Sequence, residues 1–557
     1  MANEVFVIYG CPYTAFETTR DVNAFVVPEP DRSLYHLKRN TNRLLNLVVF
    51  SGVKKVKMVG CSPEFIAEFS ALLEEHPEAD IHWSAEGKTC TAFREQLVGD
   101  ANASDVIVVE RQPNLILIAY QLAREGGAKI VVVDPTSDEE AVTFSEAQKD
   151  FEEGDGFVRQ KGLEFCCSVV KKKLGDGFFA RPYSSATFIT ESPNNVYPFT
   201  YPTGHLPTRT AGELVVAGLL KTKIPHLQTG VAVVLDSGNT QANTASECNA
   251  LREGLCCNYG VLPAHKTATL GDFKYFIEDL PVDLIFLTAH SGQMEVKVLE
   301  ATFCYKGKPG RVRYAVDRGL SSIPKSGLVD CQTNYMPIEV NGISWKADDC
   351  DRGLFMKYSK IEMDITFEAK PANPEFENVV ITSIADAGPT RFPAKCILCG
   401  DDQYFAPTTN TVGYGYFPLI FNNACSSFSG VCEEFIPEAS FYVGTTRPID
   451  SFSAVEVATQ FVHNMRSMPL GKALFNAQRN FINSYTPYLF AGVPWLSMPR
   501  YESRAIAIMR ANSLLKRLRS SVFGEPRTDH ARRVFQEQQR KCLLKQLFDK
   551  RAATTAT

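Results

Sequence analysis

Short β-branched apolar runs alternating with amphipathic stretches recur along most of this chain, and they constrain its fold more than any other feature. VFVIY, KKVKMVG, DVIVVE and AKIVVVD follow one another between Val5 and Pro135, with helical apolar spacing over Arg32 to Val49 and Ile66 to Glu75. This alternation predicts an N-terminal, Rossmann-like, doubly wound α/β domain over about residues 1–150. A second series opens at Gly230: GVAVVLD, a helix over Ala242 to Tyr259, a short edge strand in VLPAHKTAT, a helix over Leu270 to Leu280, and then DLIFLTAHSGQ. Runs this continuously apolar suit strands covered on both faces, so the expected class is α/β with a mainly parallel sheet and flanking helices.

The remaining segments differ in character. Residues 151–229 read as a linker and packed loop region. Ser137 to Gly154 is acidic and polar, a linker or exposed helix, and TESPNNVYPFTYPTGHLPTRT combines turn formers with aromatics, as an ordered loop would. His205 in that loop reads as a solvated histidine rather than a ligand. From about 294 to 394 the pattern shifts to period two (KVLEATFCYKGK, RVRYAVDRG, MPIEVNGISW, KIEMDITFEAK), which predicts a β-rich insertion within a domain covering 230–490. Tyr414 to Phe421 then restores an apolar strand, and Ala454 to Phe481 carries helical spacing. Residues 491–557 end in basic helical patterns, a solvated face or a docking site for an acidic partner or nucleic acid.

With 557 residues, two or three cores are expected. A net charge of -5 and a pI near 6.1 exclude a chain built mainly to coat nucleic acid. MANEVFVIYGC lacks the features of a signal peptide and its apolar run is too short to span a bilayer, which predicts a cytoplasmic protein without a membrane partner. The sixteen cysteines, among them the adjacent pairs Cys166/Cys167 and Cys256/Cys257, are scattered rather than spaced as a disulfide framework.

Two strand ends carry the residues for nucleophilic chemistry. FNNACSSFSG places Cys425 among small polar residues just after the run YFPLIF, where a thiol is accessible to substrate. His290 follows the run LIFLTA and precedes Ser291 and Gly292, at the carboxyl edge where open sheets place their sites. An imidazole within hydrogen-bond reach favours the thiolate, so His290 is the expected base for Cys425. The backbone N–H of Cys425 and one from the Ser291 to Gly292 turn would serve an oxyanion, at about 3 kcal/mol each.

LTAHSGQ, NACSSFSG, VGTTRPI and LGKAL, in this order and strand context, resemble the CHAT domain, a caspase-like peptidase family related to separase, over roughly Gly230 to Phe481 with the insertion excluded. The resemblance implies a caspase-like parallel sheet, a Cys–His dyad needing no cofactor and no metal, and a regulated effector of the kind found in prokaryotic defence systems. Ser291 stands where the family commonly has glycine, Arg447 where it has tryptophan, and the caspase signature around the cysteine is absent. Asp236, Asp401 and Asp402 are the acidic candidates for a pocket that reads a basic side chain, each equally readable as a surface turn residue.

These observations predict a regulated cysteine endopeptidase acting on a protein substrate, controlled by a protein partner or a nucleotide signal. Two alternatives are a silent caspase-like scaffold that binds a partner protein, and a nucleotide-signal sensor built on the N-terminal domain. The strand ends at Gly10, Gly60 and Asp134 could line a ligand crevice, but no GxGxxG or P-loop follows any of them. Cys396 and Cys399 have metal-ligand spacing without a second pair, although Cys331 and Cys350 could contribute, and Gly400, Asp401 and Asp402 form a GDD that reads as a turn.

Overall fold

The computed structural model describes residues 5–498 with gaps, the longest being 16–23, 30–36, 88–102, 368–374, 385–394, 405–411 and 480–486; residues 290, 400–402, 447–448 and 499–557 are also outside the described set. The basic C-terminal helices expected from the sequence therefore lie almost wholly outside it. Two units are present: residues 1–291, 398–401 and 406–557 in one, and 292–397 with 402–405 in the other.

In the larger unit, β1 (Val5–Tyr9), β2 (Ala24–Pro28), β3 (Lys55–Val59) and β4 (His82–Glu86) form a parallel sheet in the order β2-β1-β3-β4. Phe6, Ile8, Val56 and Met58 point to one face and pack with Leu44, Leu47 and Val48 of the Leu37–Ser51 helix and Phe65 and Phe69 of the Pro63–Glu75 helix. Val216, Ala217 and Leu220 of the Ala211–Lys223 helix complete this core. A buried ion pair at 2.9 Å, Arg43 to Glu213, joins the first and last of these helices.

The other two strands expected in the N-terminal domain, β5 (Asp105–Glu110) and β6 (Lys129–Val133), belong to a different sheet. They join β7 (Ser185–Thr190), β8 (Thr203–Pro207), β9 (Val231–Asp236), β10 (Gly260–His265) and β11 (Leu284–Thr288) in a ten-stranded sheet. Residues 151–229 thus supply two sheet strands. The acidic stretch after Pro135 is the Asp138–Glu153 helix, whose Phe144 and Phe151 pack on Leu163, Cys166 and Val170 of the Gly156–Leu174 helix. His205 is buried in β8 with Nε2 2.8 Å from the Thr190 carbonyl, so the expectation of a solvated loop histidine is corrected: the flanking Pro and Thr read as turn residues, but the chain there pairs with β7.

The smaller unit is inserted in the chain between β11 and the later strands of this sheet. It contains β13 (Val296–Tyr305), β14 (Lys308–Ser322), β15 (Val329–Val340), β16 (Ile343–Ser344) and β17 (Phe376–Ile384), antiparallel in the order β16-β15-β14-β13-β17. β12 (Ser291–Gln293), β18 (Lys395–Leu398) and β19 (Gln403–Tyr404) form a separate three-stranded sheet. Of KIEMDITFEAK, expected as a strand, residues 360–367 instead continue the Arg352–Phe367 helix, and 368–370 lie outside the described residues. Leu354, Phe355 and Tyr358 bury one helical face upstream of it, and Asp351 caps its start by accepting the Leu354 N–H at 3.0 Å, so a nucleated helix overrides the weak alternation.

The chain returns to the ten-stranded sheet with β20 (Leu419–Asn422), β21 (Phe441–Thr445) and β22 (Tyr488–Ala491), giving the order β10-β9-β11-β20-β21-β22-β8-β7-β5-β6. Every recorded pairing in this sheet is parallel except β21 with β22, so the strands from β10 to β21 run one way and those from β22 to β6 run the other. Phe286, Phe421, Val443 and Phe490 pack on Val457, Phe461 and Val462 of the Ser451–Asn464 helix and Leu474 of the Leu470–Arg479 helix. At the amino ends of β9 and β11, Lys221 and Asp283 form an ion pair at 2.7 Å with both side chains fully withdrawn from solvent, and the Asp283 carboxylate also accepts from the backbone N–H of Thr229 and Gly230. Among the described residues no helix is long and apolar enough to cross a membrane.

Candidate active site

Leu284 to Leu287 of β11 lie opposite Leu419 to Asn422 of β20, and β20 in turn pairs with β21, placing Asn422 against Gly444. Three parallel strands therefore end along one rim. Cys425 is the third residue beyond β20 and is half-buried, its Sγ 3.9 Å from the Ile449 carbonyl. That carbonyl precedes the Ser451–Asn464 helix, whose N-cap Asp450 accepts from the Ser453 N–H at 2.9 Å and is held below the usual carboxylate range by that bond.

The turn carrying Cys425 is bonded on both sides of the thiol. Ser427 Oγ donates to the Asn422 carbonyl at 2.8 Å and accepts from the Thr445 N–H at 2.9 Å, while Thr445 Oγ1 donates to the Ala424 carbonyl at 2.7 Å. Tyr442 donates its hydroxyl to the Ser427 carbonyl at 2.7 Å and accepts from Asn422 Nδ2 at 3.1 Å. The Ala424 N–H returns to Asn422 Oδ1 at 3.1 Å. All of these groups except the thiol residue are buried, so the bonds form in a low-dielectric surround that strengthens them. Gly444 is required where the turn crosses β21: a Cβ there would stand 3.0 Å from the Phe428 nitrogen and 3.0 Å from Ser427 Oγ.

Asn423 anchors the turn from below. Its N–H donates to the Leu287 carbonyl of β11 at 2.9 Å. Its side chain donates to Glu247 Oε1 at 2.6 Å and to the Ala454 carbonyl at 3.2 Å, and accepts from the Tyr488 hydroxyl. Glu247 sits in the first turn of the Thr244–Leu255 helix and is buried, which pushes its carboxyl up to about 7; the Asn423 bond opposes this and the Asp236 charge adds to it. The same surroundings push the neighbouring Cys248 thiol up to about 12, burial first and the Asp236 and Glu247 charges after it.

Of the residues singled out from the sequence, Cys425 and Asp236 are described in full. Asp236 ends β9 opposite Thr288 and is buried, not a surface turn residue, with its charge acting on Glu247 and Cys248. Ser291 and Gly292 begin β12. His290, Asp401, Asp402 and Arg447 lie outside the described residues. Cys396 falls in β18, Cys399 just after it is buried, and among the described residues no three ligating side chains cluster as a metal site would need. Glu247, Asn423, Thr445 and Tyr488 escaped the sequence reading. Thr-Ala-Ser-Glu at 244–247 has the form of a helix capping box, which hides a buried acid behind a commonplace explanation.

The N-terminal sheet presents a different edge. The Ser62 N–H donates to Glu29 Oε2 at 3.0 Å and the Ser62 hydroxyl donates to the same carboxylate, which therefore occupies the start of the Pro63–Glu75 helix. An incoming phosphate would meet a negative charge at the place where a helix N-terminus otherwise receives anions.

No protein-family model and no curated protein matches the chain.

Proposed function

We propose that the protein is a cysteine endopeptidase of caspase-like fold with Cys425 as nucleophile and His290 as its base. The observation that carries this reading is the thiol's setting: half-buried at the carboxyl rim of a parallel sheet, on a turn fixed by buried hydrogen bonds, one strand away from β11, whose sequence continues through Ala289 to His290. A cysteine and a histidine that follow adjacent parallel strands in the sequence support a nucleophile and base sharing one edge. The order of LTAHSGQ, NACSSFSG, VGTTRPI and LGKAL supports membership of the CHAT family, and Gly444 in the third of these has a physical reason, since it admits the cysteine turn.

In the reaction, imidazole takes the thiol proton and the thiolate sulfur bonds to the peptide carbonyl carbon. The tetrahedral oxyanion is met by backbone N–H groups at Cys425 and the Ser291 to Gly292 segment. The C–N bond then breaks, the amine leaves with the proton from the imidazolium, and water hydrolyses the thioester to release the acid and regenerate the thiol. The Glu29 carboxylate at the N-terminal helix start disfavours phosphate recognition there, so control by a protein partner is the reading we adopt over a nucleotide signal at that edge.

Incubation of the wild type, Cys425→Ala and His290→Ala proteins with candidate partner proteins tests the proposal. Cleavage by the wild type and loss in both variants is expected; equal cleavage by all three would remove the dyad. A protein that binds such a partner equally well in all three forms and never cleaves it would be a scaffold.

A further inference from the structure

The turn that carries Cys425 is gripped at Asn423 by three groups from three elements: the Ala454 carbonyl, the Tyr488 hydroxyl and the Glu247 carboxyl group. The carbonyl does not titrate. Burial holds the Tyr488 hydroxyl well above its usual range, so it stays protonated. Glu247 alone among the three changes charge within the working range of a protein.

We propose that Glu247 is a positioning residue for the Cys425 turn, its carboxyl group setting through the Asn423 amide how firmly residues 423–428 are held closed. The role as part of a catalytic site rests on the peptidase reading of Cys425; the grip itself rests on the geometry. Glu247 Oε1 is 2.6 Å from Asn423 Nδ2, both residues are buried, and Asn423 is two positions before the thiol. The Ala454 carbonyl accepts from the same nitrogen at the longer distance of 3.2 Å.

The charged and titratable groups around Glu247 determine the sign of the effect. Asp236 acts on it from the end of β9, Cys248 lies beside it on its own helix, Tyr488 reaches in from β22, and Cys425 and Asp450 complete the group around Tyr488. None of these brings a positive charge. Burial and the Asp236 charge therefore favour the protonated carboxyl, raising it from an ordinary 4.5 to about 7, and opening of the turn to water restores the ordinary value. By linkage the closed turn is held best below pH 4.5 and loosens as pH rises towards 7, with no further change above that. Glutamine at 247 copies the neutral state: it keeps an oxygen for Asn423 and carries no charge.

Hydrogen exchange of the full-length chain, followed in peptides covering 423–428 and corrected for the intrinsic pH dependence of exchange, tests this. Wild-type protection is expected to fall about tenfold or more between pH 5 and pH 7.5, and Glu247→Gln to show a flat profile at or above the wild-type level. Glu247→Ala, which removes the shortest of the bonds donated by the Asn423 amide and leaves the Ala454 carbonyl, is expected to lose about tenfold in protection at pH 5. Peptides from β1 and β3 report whether each variant is folded; if Glu247→Ala is not, Glu247→Gln decides alone. A Glu247→Gln protein that keeps the wild-type pH dependence overturns the proposal. Alkylation of Cys425 on the same samples separates the two readings: a thiol no faster than an exposed model thiol counts against the peptidase, while the exchange profiles still decide the role of Glu247.

Discussion

Gly444 passes so close to Ser427 that a single methyl group on its Cα would stand 3.0 Å from the serine hydroxyl oxygen and equally close to the next backbone nitrogen. The strand and the cysteine turn are thus one packed object, and the spacing between them is set by the absence of a side chain. Gly444→Ala is expected to displace residues 425–428, lower stability by about 1–3 kcal/mol and slow Cys425 alkylation. Denaturant melts together with labelling kinetics check it; an alanine variant with unchanged melting and unchanged labelling would mean that the turn is free to move.

The buried pair Lys221 and Asp283 stands at the opposite ends of the same strands. Lys221→Met leaves the Asp283 carboxylate buried without its cation, and a loss of about 3–5 kcal/mol is expected. Adding Asp283→Asn, which removes the buried charge but keeps an oxygen for only one of the Thr229 and Gly230 N–H groups, should recover part of that loss. Chemical denaturation of the two single variants and the double variant measures the coupling; additive losses would contradict the assignment of Asp283 as the charge at fault.

His205 should make the protein sensitive to acid. Burial lowers its pKa from 6.5 to about 4, with the Thr190 carbonyl bond opposing. A histidine depressed in the folded state favours folding fully above pH 6.5, and this contribution is lost as pH falls towards 4, to a total of about 3 kcal/mol. His205→Gln is expected to remove that part of the acid limb. Stability curves from pH 7 to pH 4 are the measurement, and identical slopes for both proteins would exclude the histidine.

Thiol labelling should discriminate sharply among the cysteines. Burial and the Glu29 charge push the Cys61 thiol up to about 12, burial and Glu164 push Cys167 up to about 11 against the pull of Lys171, and Cys248 stands at about 12. These three are expected to remain unlabelled at pH 7.5 while Cys425 is modified first. Peptide mapping after brief exposure to an alkylating reagent reads the order, and early labelling of Cys61 or Cys248 would show that the folded surroundings do not protect them.

The apolar runs were legible because a strand covered on both faces has to be apolar along its whole length: VFVIY, DVIVVE, VAVVLD, LIFLT and the LIF that ends at Phe421 lie in strands. Which runs share a sheet was not legible. DVIVVE follows KVKMV by about forty-five residues, yet it pairs with SATFIT, because pairing is decided by where the connecting helices pack and not by order in the chain. TGHLP resisted for another reason, since its glycine and proline mark turns in most contexts and here they lie within a strand. At the site, the thiol could be found from its small neighbours at a strand end. Glu247 could not, because its importance comes from Asn423, 176 positions away, and from a buried setting that no local pattern announces.

The reversal between β21 and β22 gives the ten-stranded sheet two carboxyl rims facing away from each other. The strands leading to Cys425 finish on one rim, and β5, β7 and β8, with Glu110, Thr190 and the ion pair of Glu110 to Lys173, finish on the other. Along the strand direction alone the two rims are a strand length apart, about 15–20 Å at roughly 3.3 Å per residue, and the strands lying between β20 and β8, β7 or β5 add to that. The two halves meet at the antiparallel pair, where Tyr442 lies opposite Ala491 and Thr445 opposite Tyr488. Tyr488, which stands in that pair, also gives its hydroxyl to Asn423, so the strand that begins the far half holds the turn of the near one.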